Sequence, residues 1–220
     1  MSSFTNILAD VVTISPSAGS ASITIPAGTD LLAISFNGIW ADIGSITVGA
    51  ASGVESAPLS SDGNTRAIQS WCVVSPPSGA QTIEFRRADG SSPLDYFVSI
   101  YALSGMDTAS PIRNYGGVSP SGGDLIGTLT TVADDIVVGI VANDSALTPI
   151  SGQTDAFNGA NAALGGGYVA CSAVKATGTS TNWSYGTSLI SWSNSTVVVY
   201  KAASGGGGGS GKFRNYFSRR

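Results

Sequence analysis

The chain has 220 residues, of which only 11% are charged, less than half of the share of about 25% that is usual in globular proteins. It contains no histidine and only two cysteines, Cys72 and Cys171. These counts exclude a Ser-His-Asp triad, a Cys-His dyad, and zinc sites built from histidine or from four cysteines. The length suits one all-β sandwich domain.

The charges are distributed unevenly along the chain. Residues 1–203 carry all fourteen acidic residues and six basic ones, whereas residues 204–220 carry four basic residues and no acid. The acidic body shows no basic patch of the kind that binds nucleic acid. The short basic tail is therefore expected to contact something other than its own body.

Apolar residues alternate with a period of two in segments such as 22–25 and 81–85, which is typical of strands with one buried face. Other short runs are almost entirely apolar and rich in β-branched residues, as central strands are. Residues typical of turns separate these runs. One short helical turn is predicted around residues 156–163. In chain order we expect strands at residues 10–14, 21–25, 31–40, 44–49, 66–74, 80–87, 95–103, 125–131, 135–142, 146–151, 166–175, 182–192 and 195–202.

The pattern predicts an all-β fold over residues 1–203, a two-sheet antiparallel sandwich of jelly-roll type. The absence of amphipathic helical stretches argues against α/β folds. The composition changes once, at Ser204. Residues 204–211 are rich in glycine and predict a flexible linker. Residues 212–220 follow as a C-terminal arm that combines basic and aromatic side chains.

Four segments of the first half follow one another in a recognisable order. They are residues 23–32 (ITIPAGTDLL), 45–49 (SITVG), 70–83 (SWCVVSPPSGAQTI) and 99–112 (SIYALSGMDTASPI). Their order resembles a β-sandwich domain that recurs in tailed-phage virion proteins and in bacterial surface proteins. The resemblance extends over about residues 20–200 and implies a scaffold without a shared active site. Because no secretion signal or flanking module accompanies it, we interpret the chain as a virion protein.

Two features that suggest a chemical site have simpler explanations. Residues 206–212 match most of a phosphate-binding loop, but Phe213 stands where the Ser or Thr for Mg²⁺ is needed. A glycine linker explains this match. Asp134 and Asp135 would point to opposite faces of a strand, so we interpret them as solvated residues rather than as an acid/base pair.

Glu55 and Glu84 are the remaining candidates for a pair of catalytic carboxylates. Glu84 alternates with apolar neighbours and is expected to face solvent from a strand. A calcium site at residues 62–64 or 89–90 is an alternative to plain turns, although neither run has the alternating acids of a dedicated calcium loop. We therefore predict no catalytic residue, no cofactor and no metal site.

Aromatic residues offer a competing function. Trp71 and Trp192 lie in segments that predict core packing, whereas Trp183 and Tyr185 lie in a polar stretch. Trp183 and Tyr185 are therefore the predicted glycan contacts, and a carbohydrate-binding or adhesion domain is the alternative function. The two cysteines lie in apolar strands and are predicted to be buried free thiols.

The arm is the predicted partner-binding site, because aromatic rings and Arg dominate interface hot spots. An arm without a partner is one alternative, and an arm that binds nucleic acid is another, which we do not expect. The predicted contact residues are Lys212, Phe213, Arg214, Tyr216, Phe217, Arg219 and Arg220.

These observations predict a non-enzymatic structural virion protein, a capsid decoration (cement) protein or another accessory component of the head or tail. Its expected partners are other virion subunits, such as a capsid or tail protein, and a homo-oligomer is also compatible with the sequence. No apolar run is long enough to span a membrane, so no membrane contact is expected. We expect the chain to be made in the host cytoplasm and to reside in the virion.

Overall fold

The computed structural model describes residues 1–14, 19–39, 43–61, 66–88, 94–117, 119–121, 124–150, 152–161, 167–188 and 193–204. Within these ranges the chain forms antiparallel strands and no helix, which confirms the predicted all-β fold. The strands are β1 Ser3–Ile14, β2 Gly19–Ile25, β3 Leu31–Ile39, β4 Ile43–Val48, β5 Ala51–Ser61, β6 Arg66–Val74, β7 Gly79–Arg87, β8 Leu94–Ser104, β9 Ile112–Gly116, β10 Ser119–Ser121, β11 Asp124–Thr130, β12 Ile136–Asn143, β13 Leu147–Pro149, β14 Thr154–Asn161, β15 Gly167–Lys175, β16 Ser180–Thr187 and β17 Ser193–Tyr200.

Strands β5, β9, β10 and β14 are absent from the sequence prediction. Strand β14 occupies most of the segment in which a helical turn is predicted, so that prediction is wrong. The register between β14 and β15 shifts between Asp155 and Phe157, which marks a bulge. An extra residue of this kind breaks the two-residue period, and the sequence pattern therefore hides the strand.

Strands β1 to β8 form one eight-stranded sheet in the order β1-β8-β3-β6-β5-β4-β7-β2. The sheet folds over at β5, which pairs with β4 at its first two residues and with β6 beyond them. Phe36 and Val98 of one half then face Ile46 and Phe85 of the other in a common core. The rings of Phe36 and Phe85 pack edge to face, with centroids 5.2 Å apart. This first sandwich comprises residues 3–104.

Strands β9 to β17 form two further sheets, in the orders β14-β15-β12-β17-β9 and β10-β11-β16-β13. Leu125, Val137 and Trp183 belong to the core between them. The backbone of Gly139 lies against the indole of Trp183, since an added Cβ would approach the ring to 2.5 Å. This position therefore requires glycine because of the close approach of the ring. We call this unit, residues 112–200, the second sandwich.

The two sandwiches pack against each other through β3, β6 and β8 on one side and β12, β15 and β17 on the other. Cys72 and Tyr101 of the first sandwich share a buried cluster with Val138 and Val198 of the second. Every residue of β12 is buried, which explains its nearly continuous apolar sequence. The body therefore stacks four layers of strands, whereas the sequence predicts two.

The described residues end at Ser204, just after the pairing of the body ends. Lys201 N donates to Pro111 O at 2.7 Å, and Ala203 N donates to Gly105 O at 2.8 Å. The glycine-rich linker beyond Ser204 and the arm at 212–220 lie outside the described residues. Both therefore stay predictions from the sequence.

Candidate functional site

The predicted glycan contacts, Trp183 and Tyr185, are fully buried in the core of the second sandwich, so this prediction is wrong. Their ring centroids lie 5.1 Å apart, and the Tyr185 hydroxyl donates to the carboxylate of Asp155 at 2.6 Å. Asn182 and Ser184 make the segment polar, but they lie on the opposite face of β16. Alternation along the strand therefore places both aromatic rings inside.

Core packing is predicted for Trp71 and Trp192, of which the structure describes only Trp71. Trp71 is buried in the core of the first sandwich, as predicted. Trp192 lies outside the described residues.

Asp134 and Asp135 lie in a turn before β12 and have different environments. Asp134 is half exposed, and a hydrogen bond from Lys175 at 2.5 Å lowers the pKa of its carboxyl group. Asp135 is buried, pairs with the Arg113 guanidinium at 2.5 Å, and accepts the backbone N–H of Ala202 at 3.0 Å. The prediction of two solvated acids is therefore wrong for Asp135, which ties β9 and the end of the chain to this turn.

Glu84 and Glu55, the candidate pair of catalytic carboxylates, are both exposed to solvent. They line different surface hollows. Glu84 lies on the outer face of β7 among hydroxyl-bearing residues such as Thr47 and Thr82. Glu55 lies on β5 at the junction of the two sandwiches, beside Tyr115. The structure therefore does not combine them in one site.

Both cysteines are buried free thiols, which confirms the prediction. Cys72 lies in the interface between the sandwiches, and Cys171 lies in a neighbouring cluster of that interface. Burial raises the pKa of Cys72 to about 11 and that of Cys171 to about 12. Thiols with such pKa values are poor nucleophiles near neutral pH, because the reactive species is the thiolate.

No group of three or more His, Cys, Asp or Glu side chains in the described ranges is arranged to hold a metal ion. The calcium alternatives at residues 62–64 and 89–90 lie outside those ranges. The same holds for the loop-like segment 206–212 and for the predicted contacts Lys212, Phe213, Arg214, Tyr216, Phe217, Arg219 and Arg220.

A cleft at the junction of the two sandwiches brings together residues of β5, β9 and β17. It consists of two hollows, of about 330 Å³ and about 210 Å³, which share Ala57, Pro58 and Tyr115. The side chain of Tyr115 is 55% exposed and lines both hollows. We call this feature the Tyr115 cleft. The larger hollow also contains Gly116, Gly117, Ser195 and Thr196, and the smaller one contains Glu55 and Ser56.

Irregularities in β5 shape one wall of the Tyr115 cleft. The register of β5 against β6 shifts between Glu55 and Ala57 and again between Ala57 and Ser60. Bulges of this kind redirect side chains, and Pro58 fits there because a proline cannot donate a ladder hydrogen bond. Buried Gln69 supports the wall from behind, since its Nε2 donates to Glu55 Oε1 at 2.9 Å.

Residues from the second sandwich form the other wall. Gly116 and Gly117 carry no side chain, so their backbone itself lines the cleft. A Cβ added at Gly117 would lie 3.2 Å from Ser195 Oγ. Tyr115 pairs with Val198 in the register of β9 and β17, so both side chains point towards the first sandwich. Val198 is covered there, whereas Tyr115 reaches the rim and stays exposed.

Sequence analysis missed Tyr115, although the sequence contains a signal for it. Tyr115 is flanked by Asn114 and by two glycines, in a segment without apolar alternation. A lone aromatic residue in such a segment has no core to enter.

Comparison with known proteins finds no match to this chain among protein-family models, curated proteins or solved structures. The likeness to phage and bacterial surface β-sandwich domains therefore stays a resemblance carried by the sequence. None of the described segments forms an apolar helix of membrane-spanning length.

Proposed function

We propose that this chain is a non-enzymatic structural protein of a virus particle. Within that class, the proposed role is a capsid decoration (cement) protein, or another accessory head or tail component, that attaches through its C-terminal arm. The proposed partners are other virion subunits, and the proposed location is the virion.

The observation that carries the proposal is the nested pairing of the strands. Strand β1 pairs with β8, β2 with β7, β3 with β6, and β4 with β5. Such nesting is typical of a long hairpin wrapped into two sheets, and we propose a jelly roll for this sandwich. Jelly rolls recur in viral capsid and lectin domains, so the argument is an analogy of fold and supports a scaffold rather than a particular partner.

The second sandwich supports the same proposal. Its pairs β9·β17, β11·β16 and β12·β15 are nested in the same way, and Asn158 of β14 donates to the Leu147 carbonyl of β13 at 2.9 Å. We propose that the body consists of two jelly rolls with one strand order, to which β10 is added. Two sandwiches that share a buried interface provide a rigid unit that suits a particle surface.

The arm leaves the body at a defined point, which is compatible with attachment to another subunit. Backbone pairing continues as far as Ala203, so the tether begins at a defined place. Residues 205–211 span at most about 25 Å when extended, which sets the distance over which the arm can act. If the arm adds as a strand to a partner sheet, alternation places Phe213 and Phe217 on one face. Arg214 then points to the other face, where it can pair with partner carboxylates.

Co-sedimentation of the full chain with virus particles from its source tests the attachment. We expect a chain ending at Ser204 and a Phe213→Ala/Phe217→Ala variant to fold normally and to lose particle binding. The matched Arg219→Ser/Arg220→Ser variant should bind but detach at a lower salt concentration, since screening weakens ion pairs at a surface. Full occupancy by the chain ending at Ser204 would contradict attachment through the arm. Absence of the chain from purified particles by mass spectrometry would contradict the virion role itself.

A further inference from the structure

We propose that the Tyr115 cleft is a binding site for a neutral sugar ring. The inference goes beyond the structural role proposed above and does not depend on it, because the cleft belongs to the body and not to the arm. The sequence predicts glycan contacts at Trp183 and Tyr185, which are buried, whereas this proposal places the sugar at the exposed Tyr115.

Tyr115 provides the stacking surface. Tyr115 is 55% exposed and lines two hollows that also share Ala57 and Pro58. A tyrosine presents an apolar ring face together with a polar hydroxyl, which suits a ligand that alternates C–H faces with hydroxyl groups. A pyranose ring has this amphipathic character. Stacking on Tyr115 would therefore bring its hydroxyl groups to the walls of the cleft.

The walls offer hydrogen-bonding groups of the matching kind. The exposed Glu55 carboxylate in the smaller hollow is an acceptor, and Gln69 holds one of its oxygens at 2.9 Å. A pair of neighbouring sugar hydroxyls can donate to such a carboxylate. The larger hollow is lined by Gly116 and Gly117, whose backbone is accessible, and by Ser195 and Thr196, which are almost fully buried, so the glycine backbone provides its accessible polar groups. Sugar hydroxyls donate and accept, so they can use both walls.

Charge and size define the class of ligand. Among the residues that the structure describes, no Lys or Arg lines either hollow, and Glu55 repels anions, so phosphates and acidic sugars are disfavoured. A volume of about 330 Å³ lies at the lower end of the range for small-molecule sites, which suits one or two sugar rings.

A cationic side chain is the competing occupant. An arginine, for example from the basic arm of another copy, could stack on Tyr115 and pair with Glu55. Such a cation would use the Glu55 side only, because no acid is among the described residues that line the larger hollow. A neutral polyhydroxylated ring uses both hollows, and the geometry therefore favours the sugar.

Ligand-observed saturation-transfer NMR on the full chain tests this proposal. The probes are glucose, galactose, mannose, N-acetylglucosamine and lactose, with N-acetylneuraminic acid as the anionic probe and a peptide of residues 212–220 as the cationic one. We expect saturable transfer to at least one neutral sugar, strongest at the ring C–H protons, with millimolar affinity. We expect no transfer to the acidic sugar.

Variants assign the site. Tyr115→Ala should weaken binding by roughly tenfold or more, Glu55→Gln should weaken it several-fold, and Tyr115→Phe should retain most of it. Ile126→Ala is the matched control, since Ile126 is another exposed large residue, on β11 outside the cleft. If Tyr115→Ala lowers the melting temperature, Glu55→Gln and sugar-induced shifts of the Tyr115 ring resonances provide the decision.

Three results would overturn the proposal. They are the absence of transfer to every neutral sugar, binding that is unchanged in Tyr115→Ala and Glu55→Gln, and Tyr115-dependent binding of the peptide without binding of a sugar. None of these results bears on particle attachment, which is read from co-sedimentation.

Discussion

The two sandwiches share one strand order but close the interface between them differently. Strand β1 of the first has twelve residues, and its Phe4 and Ala9 pack into the shared interface. Strand β9, in the corresponding position of the second, has five residues and ends at Gly116, where Tyr115 remains exposed. One rim of the interface is therefore covered and the other is open. The Tyr115 cleft therefore lies where β9 is short.

The sandwiches also differ in how their own sheets are joined. In the first, β5 pairs with both β4 and β6, so that one continuous sheet wraps around the core. In the second, β13 and β14 belong to different sheets, and the Asn158 side chain provides a hydrogen bond to Leu147. We therefore expect the second sandwich to depend more strongly on its core side chains and its buried ion pair. The following variants test that difference.

Replacing Trp183 by Ala should have the largest effect. The indole is fully buried between the two sheets of the second sandwich, and removing such a side chain costs about 4 kcal/mol of unfolding free energy. Because the interface buries apolar residues of both sandwiches, we expect one shared transition at a lower urea concentration, measured by circular dichroism. Tyr115→Ala is the exposed aromatic control and should change little. Two transitions, with the first sandwich unaffected, would contradict a single cooperative body.

Replacing Asp135 by Ala should cost about 3 kcal/mol, because it leaves Arg113 and two backbone N–H groups without their buried carboxylate. The second sandwich loses its tie between β9, the turn before β12 and the end of the chain. Asp134→Ala at the neighbouring, half-exposed position is the control and should have a small effect. Equal losses in urea unfolding for the two variants would show that burial of Asp135 contributes nothing.

Two glycines on corresponding strands permit a direct comparison of the sandwiches. An added Cβ at Gly38 of β3 would lie 2.6 Å from Tyr96, which is on the neighbouring strand of the same sheet. An added Cβ at Gly139 of β12 would lie 2.5 Å from Trp183, which belongs to the facing sheet. Gly139→Ala should cost about 2 kcal/mol and Gly38→Ala less, because a cross-strand ring can tilt whereas facing sheets must separate. Thermal unfolding of both variants measures the two losses of stability. A larger loss in Gly38→Ala than in Gly139→Ala would contradict this explanation.

Ionisation of the two thiols should have the smallest effect. It should leave the free energy of unfolding unchanged below pH 9 and lower it above that pH, because both thiols are buried in the shared interface. Burial raises the pKa of Cys72 to about 11 and that of Cys171 to about 12, so the unfolded chain releases these protons first. Their contribution to stability is complete below the unfolded pKa and is lost as pH rises through the folded values.

Thiol labelling should be slow in the native chain and reach two groups per chain after denaturation without reductant. Fast native labelling of either thiol would contradict its burial.

Much of the strand pattern could be predicted because it depends on neighbours along the chain. Alternation in segments such as 81–85 and turn residues such as Gly28 and Gly79, which adopt positive φ, act within a few residues. The burial of Cys72 and Cys171 follows from their apolar strands for the same reason. Strands β5 and β14 were not found in this way, and in each of them a register shift within the strand interrupts the two-residue period.

The sequence by itself determined that this protein is built from antiparallel strands, since alternation and turn chemistry are local properties. Only the tertiary structure decided which face each strand buries, and so placed Trp183 inside and left Tyr115 at the rim. It also decided that the strands form four layers, because the two sandwiches cover each other's apolar faces. Which apolar strands meet depends on contacts between residues far apart in sequence, and a two-residue period carries no information about the partner that covers a face.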